Sequence, residues 1–358
     1  MTAIRVLVVE DSPTVRARLV EVLSADGQFD VIGEAGDGKQ AIELCEKLKP
    51  DVITLDMMLP VMTGVAVTEY VMAHFPTPIL IVSASTNRGE LHRTYDALAA
   101  GAVDVLDKPT GGEADGEWEA RLRSAVRLVS RIKVITHPRL RIAPLRQTGI
   151  AADAARTRIT PGARAREVVA IGASTGGPSA VVEVLHALPD GFPLPILLVL
   201  HIGEPFGAGF ADWLDGQTAH RVRFARDGEA IGRRTGVTMA PPDRHMLVRE
   251  GLVRLSRDGE RHSCRPSVDV LFESVAREFG AGAAACLLTG MGRDGAAGLL
   301  DIRRAGGFTV AQDEATSVVY GMPREAALLG AADQILPLRE IGPTLAALAT
   351  PVSRRRQI

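Results

Sequence analysis

The chain reads as an α/β protein: an N-terminal five-stranded parallel doubly wound unit, then a second doubly wound α/β unit with short hairpins. Three observations predict this. Short apolar runs alternate with helical periodicities along most of the sequence. That periodicity fails over one internal stretch, residues 134–165. The length of 358 residues, 46% of them apolar, suits two cores rather than one. Aromatic residues make up only 4%, so the cores must be built from Val, Leu, Ile and Ala.

In the first unit, Ile4 to Val9, Val31 to Glu34, Val52 to Leu55, Ile79 to Val82 and Ala102 to Leu106 read as strands. Helical patterns lie between them: Val15 to Leu23, Lys39 to Leu48, Val65 to His74 and Leu91 to Ala100. A fifth, Trp118 to Ile132, closes the unit. Alternation with short connections requires a parallel sheet covered on both faces, with functional groups beyond the carboxyl ends of its strands. Glu10 and Asp11 follow the first strand, Asp56 the third, Ser83 ends the fourth, and Lys108 follows the fifth. Three carboxylates at one edge repel each other unless a hard cation neutralises them, and oxygen ligands of this type suit Mg²⁺. A lysine and a hydroxyl beside them can hold phosphoryl oxygens.

From residue 134 to 165, arginines such as Arg139, Arg146 and Arg158 are interleaved with Pro138, Pro144 and Pro161. Without aromatics for stacking or a recognition-helix pattern, this is expected to be a solvated tether and not a nucleic-acid patch. The net charge of −2 agrees with that exclusion.

The second unit opens on a buried strand, Val168 to Ile171, that runs into Gly172-Ala173-Ser174-Thr175-Gly176-Gly177 and then a helix through Leu188. The spacing fits G-x-S-x-G, in which small neighbours let a sharp turn expose the serine hydroxyl. Phosphate binding at a helix N-terminus, or a merely tight connection, fits the same residues. The next strand, Leu194 to Leu200, is followed at once by His201. The run Ala281 to Leu288 leads into Thr289-Gly290-Met291-Gly292-Arg293-Asp294-Gly295 and a helix to Ala305. Ser174, His201 and Asp294 therefore each stand past a strand's carboxyl end. If those strands are neighbours, the three share one crevice and can work as nucleophile, base and orienting acid. His245 is a rival base, with His220 and His262 weaker ones. Gly290 to Gly295 also satisfies G-x-G-x-x-G, with Asp313 about 20 residues on, but that reading leaves Ser174 without a role. Short runs Thr238 to Ala240, Met246 to Arg249 and Leu252 to Leu255 suggest hairpins. The order Ser, His, Asp differs from that of α/β-hydrolases. Cys45, Cys264 and Cys286 lack metal-ligand spacing and are expected to be buried small hydrophobes.

Two resemblances follow from these motifs. Residues 1–133 resemble the response-regulator receiver family over essentially their whole length. That resemblance implies Asp56 as phospho-acceptor, Glu10, Asp11 and Asp56 as the Mg²⁺ carboxylates, and Ser83 and Lys108 as phosphoryl contacts. Leu59 stands in Asp56-Met57-Met58-Leu59-Pro60 where Met is usual, and Val105 where many receivers carry a switching aromatic. Residues 166–351 resemble the catalytic domain of the chemotaxis-type protein-glutamate methylesterase (CheB) family. The matching stretches are Ala170 to Pro178, Cys264-Arg265-Pro266-Ser267-Val268-Asp269, Leu288 to Gly295, Gln312-Asp313-Glu314 and Tyr320-Gly321-Met322-Pro323.

This second resemblance implies a triad of Ser174, His201 and Asp294, the Met291 backbone N–H as oxyanion donor, and Thr175 beside the nucleophile positioning substrate. Leu200-His201-Ile202 replaces the family's usual Gln-His-Met. The implied function is hydrolysis of glutamate methyl esters on chemoreceptor cytoplasmic helices, with deamidation of receptor glutamines through the same acyl intermediate. Control is by a histidine kinase acting on Asp56, and the esterase needs no cofactor. Two alternatives stand: a regulator whose second unit only binds a partner, and the same esterase in a chemosensory pathway other than taxis. The expected layout is a receiver at 1–133, a linker at 134–165, a catalytic domain at 166–351 and a basic tail at 352–358. No leader and no run of about 18 apolar residues is present, so the expected location is cytoplasmic, with no membrane insertion and no nucleic-acid partner.

Overall fold

A computed structural model of the protein describes residues 3–84, 88–109, 116–132, 134, 166–203, 205–232 and 235–349. The expected linker, beyond residue 134, and the basic tail lie outside the described residues.

The first sheet has the order β2-β1-β3-β4-β5, every pairing parallel. Its strands are β1 (Ile4–Val9), β2 (Phe29–Ala35), β3 (Val52–Leu55), β4 (Ile79–Ser83) and β5 (Asp104–Asp107). β3 and β4 are buried at every position, as strands covered on both faces must be. The covering helices are α1 (Pro13–Ser24), α2 (Gly38–Leu48), α3 (Gly64–His74), α4 (Arg88–Ala99) and α5 (Glu117–Val129). Ser12, Asp37 and Thr63 cap α1, α2 and α3 by accepting from backbone N–H groups of their first turns. β5 begins two residues later than the apolar run suggested: Ala102 and Val103 are buried between α4 and β5, with the Val103 N–H donating to Ile79 O at 2.9 Å.

The second sheet is larger, seven parallel strands in the order β14-β13-β12-β6-β7-β9-β8. Its central strands are β6 (Val168–Ala173), β7 (Pro195–Leu200) and β12 (Ala283–Leu287). β6 is buried throughout and pairs with β12 on one side and β7 on the other. The helices are α6 (Gly177–His186), α7 (Phe210–Gln217), α8 (Val268–Phe279), α9 (Ala296–Arg304), α10 (Met322–Leu328) and α11 (Leu338–Ala349). One expected hairpin forms, β10 (His245–Arg249) with β11 (Leu252–Ser256). The run near Thr238 does not form another. It becomes β9 (Gly236–Met239), which pairs in parallel with β7 and with β8 (Val222–Phe224) and extends the main sheet. β13 (Phe308–Gln312) and β14 (Gln334–Leu336) close the other edge.

The two units pack through α4 against α6 and α7. Tyr95 of α4 is fully buried, donates its hydroxyl hydrogen bond to the Phe206 carbonyl, and lies edge-on to Phe210, with ring centroids 5.3 Å apart. Trp213 Nε1 donates to Asp96 at 2.8 Å, and Arg88 pairs with Asp212 at 2.8 Å. These contacts set β5, through Asp104, Val105 and Asp107, beside the residues that follow β6 and β7 around one cavity.

Candidate active site and phosphorylation site

Ser174 leaves β6 at the turn into α6. Gly176 takes a positive φ of 74° there, and a Cβ on it would strike Val318 at 2.5 Å, so only glycine fits the bend. Gly290 serves the facing loop. A Cβ there would lie 2.7 Å from the Ser174 Cβ, so its absence lets the Gly290–Met291 backbone pass directly beside the serine. That close approach, with the Ser174 N–H donating to Thr289 O at 3.0 Å, ties the G-x-G-x-x-G stretch to the serine turn. Asp313 accepts from Thr316 within its own turn.

Because β6 lies between β7 and β12, residues leaving the ends of all three strands meet. His201 follows β7, and its Nε2 lies 2.9 Å from Asp294 Oδ2. Asp294 is 2% exposed, yet its carboxylate is fully supplied with donors. Ser267 Oγ donates at 2.7 Å, Val268 N–H at 2.7 Å and Asp269 N–H at 3.1 Å. All three donors come from the start of α8, whose free N–H groups and dipole favour an anion. Burial alone would raise the Asp294 carboxyl, but the bonds from His201, Ser267 and Val268 outweigh it and hold it below the ordinary value. With Asp294 ionised, Nε2 is the donor toward it, and Nδ1 carries the lone pair when the ring is neutral. Burial opposes the imidazolium of His201, but its bonds to Asp294 and Cys264 prevail and raise it to about 9.

Ser174, Thr175 and His201 line one cavity of about 240 Å³ together with Val105, Asp104 and Arg121 of the first unit. No direct hydrogen bond joins Ser174 to His201 among the described residues. Nδ1 faces Cys264 Sγ instead, at 3.7 Å. Cys264 is therefore not the buried small hydrophobe expected, whereas Cys45 and Cys286 are buried. Met291, with an exposed side chain, stands on a second, open cleft beside Cys264 and Asp294. The rival bases are held elsewhere. His245 is buried, accepting from Ser267 N–H through Nδ1 and bonding Gly259 O. His220 bonds Leu185 O, and His262 bonds Asp269. Ser267 and the start of α8 are the site residues that sequence reasoning missed; an N-cap serine before an apolar helical run was their signal.

At the first sheet's edge, Glu10 and Asp56 are buried and both meet Lys108 Nζ, at 2.8 and 3.0 Å. Burial raises the Glu10 carboxyl, with Asp56 adding to it against the pull of Lys108. Lys108 is itself raised: burial lowers it, but Glu10 and Asp56 overcome that. The carboxylate oxygens of Glu10, Asp11 and Asp56 lie within 4.8 Å of one another, an all-oxygen set that fits Mg²⁺. Ser83 Oγ is buried without a hydrogen-bond partner among the described residues.

The first unit thus has the fold and acidic edge of a receiver, and the second a serine, a histidine and an aspartate gathered at adjoining strand ends. The chain matches the response regulator receiver domain over residues 6–114 and CheB methylesterase over residues 169–345. It is 43% identical over 355 residues to the protein-glutamate methylesterase/protein-glutamine glutaminase of Nitrosospira multiformis, covering 98% of each chain. A second relative of that description, from Anaeromyxobacter dehalogenans, is 44% identical over 338 residues, 94% of this chain and 95% of that one. The crystal structure of the Thermotoga maritima CheB methylesterase catalytic domain aligns at 34% identity over 52% of this chain and all of that one, with a TM-score of 0.48. The chain belongs to the CheB methylesterase family, with a receiver domain ahead of the catalytic one.

Proposed function

We propose that this chain hydrolyses methyl esters of glutamate side chains on chemoreceptors, under control of phosphorylation at Asp56. The observation that carries the esterase reading is the hydrogen-bonded His201–Asp294 pair on the strands flanking β6, with Ser174 at the end of β6 on the same cavity. Ser174 Oγ attacks the ester carbonyl while His201 Nδ1 takes its proton, displacing Cys264 from that nitrogen as the site opens. Asp294 keeps Nε2 protonated and offsets the imidazolium charge. The Met291 N–H, on the backbone beside Ser174, stabilises the oxyanion, and Thr175 positions substrate. Methoxide leaves with the proton from His201 as methanol. Water, deprotonated by the same histidine, then cleaves the acyl-serine to free glutamate. A glutamine substrate gives the same acyl-serine and releases ammonia.

In the receiver, Asp56 is the phospho-acceptor and a histidine kinase of a chemosensory pathway the donor. Glu10, Asp11 and Asp56 would hold Mg²⁺, which neutralises charge on the transferring phosphoryl group. The orphaned Ser83 hydroxyl and Lys108, which bridges Glu10 and Asp56, are the groups placed to receive its oxygens. We divide the chain into a receiver at 1–133, a linker at 134–165, a catalytic domain at 166–351 and a tail at 352–358, and place its work in the cytoplasm. Among the described residues no helix is long and apolar enough to cross a membrane. The test is methanol release from methylated receptor membranes with and without a small phosphodonor, together with labelling by a serine-directed phosphonate. Absence of both methanol and label at Ser174 would leave a protein that only binds its partner.

A further inference from the structure

Cys264 is the unused functional group nearest the proposed chemistry. It ends a two-residue β-turn. Arg261 and Cys264 exchange backbone hydrogen bonds at 3.1 and 2.9 Å, and His262 and Ser263 between them both take positive φ, 53° and 59°. Such a turn ordinarily has Asn-Gly at its centre, because side chains there are strained. Here the strained turn delivers a thiol to 3.7 Å from His201 Nδ1.

We propose that His201 Nδ1 and Cys264 Sγ form a site for a thiophilic divalent ion of the zinc type, and that the ion inhibits the esterase by occupying the base nitrogen. The spacing fits. Zinc bonds of about 2.3 Å to sulfur and about 2.0–2.1 Å to nitrogen at a tetrahedral angle put the two ligand atoms about 3.6 Å apart. The supporting shell is also that of a metal site. A ligating imidazole usually donates its other N–H to a carboxylate, which fixes the tautomer and strengthens the ligand, and His201 Nε2 already meets Asp294 at 2.9 Å. The donor atoms of His201, Cys264 and Asp294 all lie within 4.8 Å of one another. Entry is available through the open cleft shared by Cys264, Met291 and Asp294. Two protein ligands leave the remaining positions to water, so the ion is exchangeable and not structural. A Mg²⁺ ion, which prefers an all-oxygen set, is excluded by the same ligands and remains with the receiver.

The inhibitory half rests on His201 being the base; the binding half does not. Zn²⁺ binding to the full-length protein is measured by calorimetry with Mg²⁺ present, and Co²⁺ serves as the spectroscopic probe. Wild type and Ser174→Ala should bind one zinc at this site and show a sulfur-to-cobalt charge-transfer absorption. Cys264→Ser, Cys264→Ala and His201→Gln should lose both. Cys45→Ser should keep them, since that thiol is buried in the receiver core. An undiminished cobalt band or zinc stoichiometry in both Cys264 variants would overturn the site. Zinc should also suppress receptor demethylation at least tenfold in the wild type and much less in Cys264→Ser, each compared with its own zinc-free rate. Binding through Cys264 with demethylation unchanged would uphold the metal site and overturn His201 Nδ1 as the base.

Discussion

At the carboxyl edge of the receiver sheet two buried carboxylates, Glu10 and Asp56, share one lysine. At the corresponding edge of the esterase sheet the buried carboxylate of Asp294, with Asp269 buried beside it, is surrounded by two side-chain and two backbone donors. Both sheets are parallel, and both collect function where strands end. The difference lies in what neutralises the acid. On the proposed roles, the receiver leaves charge for mobile groups, a cation and a phosphoryl, to balance, so its site can change state. The esterase unit satisfies its acid through the start of α8, and the ionised carboxylate keeps the proton on His201 Nε2.

Breaking the fixed site should have the largest effect. Ser174→Ala should lower kcat by about 10⁴-fold or more with the fold intact, and His201→Ala by a similar factor, since triad members act as a unit. His245→Ala should instead act on stability, costing about 1–3 kcal/mol by leaving the buried Ser267 N–H unpaired. Denaturant midpoints set beside receptor demethylation rates separate the two histidines. A dead His245→Ala of normal stability would mean the wrong base was chosen.

The receiver's changeable site should fail differently. Asp11→Asn should nearly abolish phosphodonor labelling of Asp56 and leave unstimulated esterase activity at the wild-type rate. Labelling that persists without a divalent cation would contradict the carboxylate cluster as a metal site.

The contact between the two regions predicts smaller effects. Removing residues 1–164 should raise receptor demethylation by roughly 5- to 150-fold, the usual range of coupling energies, because Val105 and Asp104 then no longer wall the Ser174 cavity. Equal rates for truncated and full-length protein would show that docking does not restrain the esterase.

The smallest effect is a pH dependence of that restraint. Burial pushes the Asp104 carboxyl up from 3.8 to about 6, and Asp104 lines the cavity between the units with Asp107 and Arg121. A carboxyl raised on docking favours the docked form fully below pH 3.8, and that support is lost as pH rises through about 6. The activation gained by truncation should therefore be larger at pH 5 than at pH 7, and Asp104→Asn should flatten the difference. An identical ratio at both pH values would remove Asp104 from the interface energetics.

β1, β3 and β4 of the receiver and the three central esterase strands were legible in the sequence because strands buried on both faces are near-continuous apolar runs; the edge strands β2 and β5, only partly buried, were legible from their alternation with helical patterns. Ser174, His201 and Asp294 were legible for a related reason: chemistry-bearing residues just past such runs stand out against them. β13 and β14 were not legible. Phe308-Thr309-Val310-Ala311-Gln312 is short and mixed, and only pairing against β12 makes it a strand. The β9 run passed for a hairpin because local sequence does not say which strand a short segment will join.

By itself, then, the sequence determined the periodicities, the glycine turns and the identity of the reactive groups, all of which are local properties. The strand order β12-β6-β7 that brings three distant loops together was decided only in three dimensions. So was the donation from α8 to Asp294, and so was the placement of Cys264 in front of His201. Each of these joins residues tens of positions apart, and such pairings are set by how whole sheets and helices bury their faces rather than by any neighbouring residue.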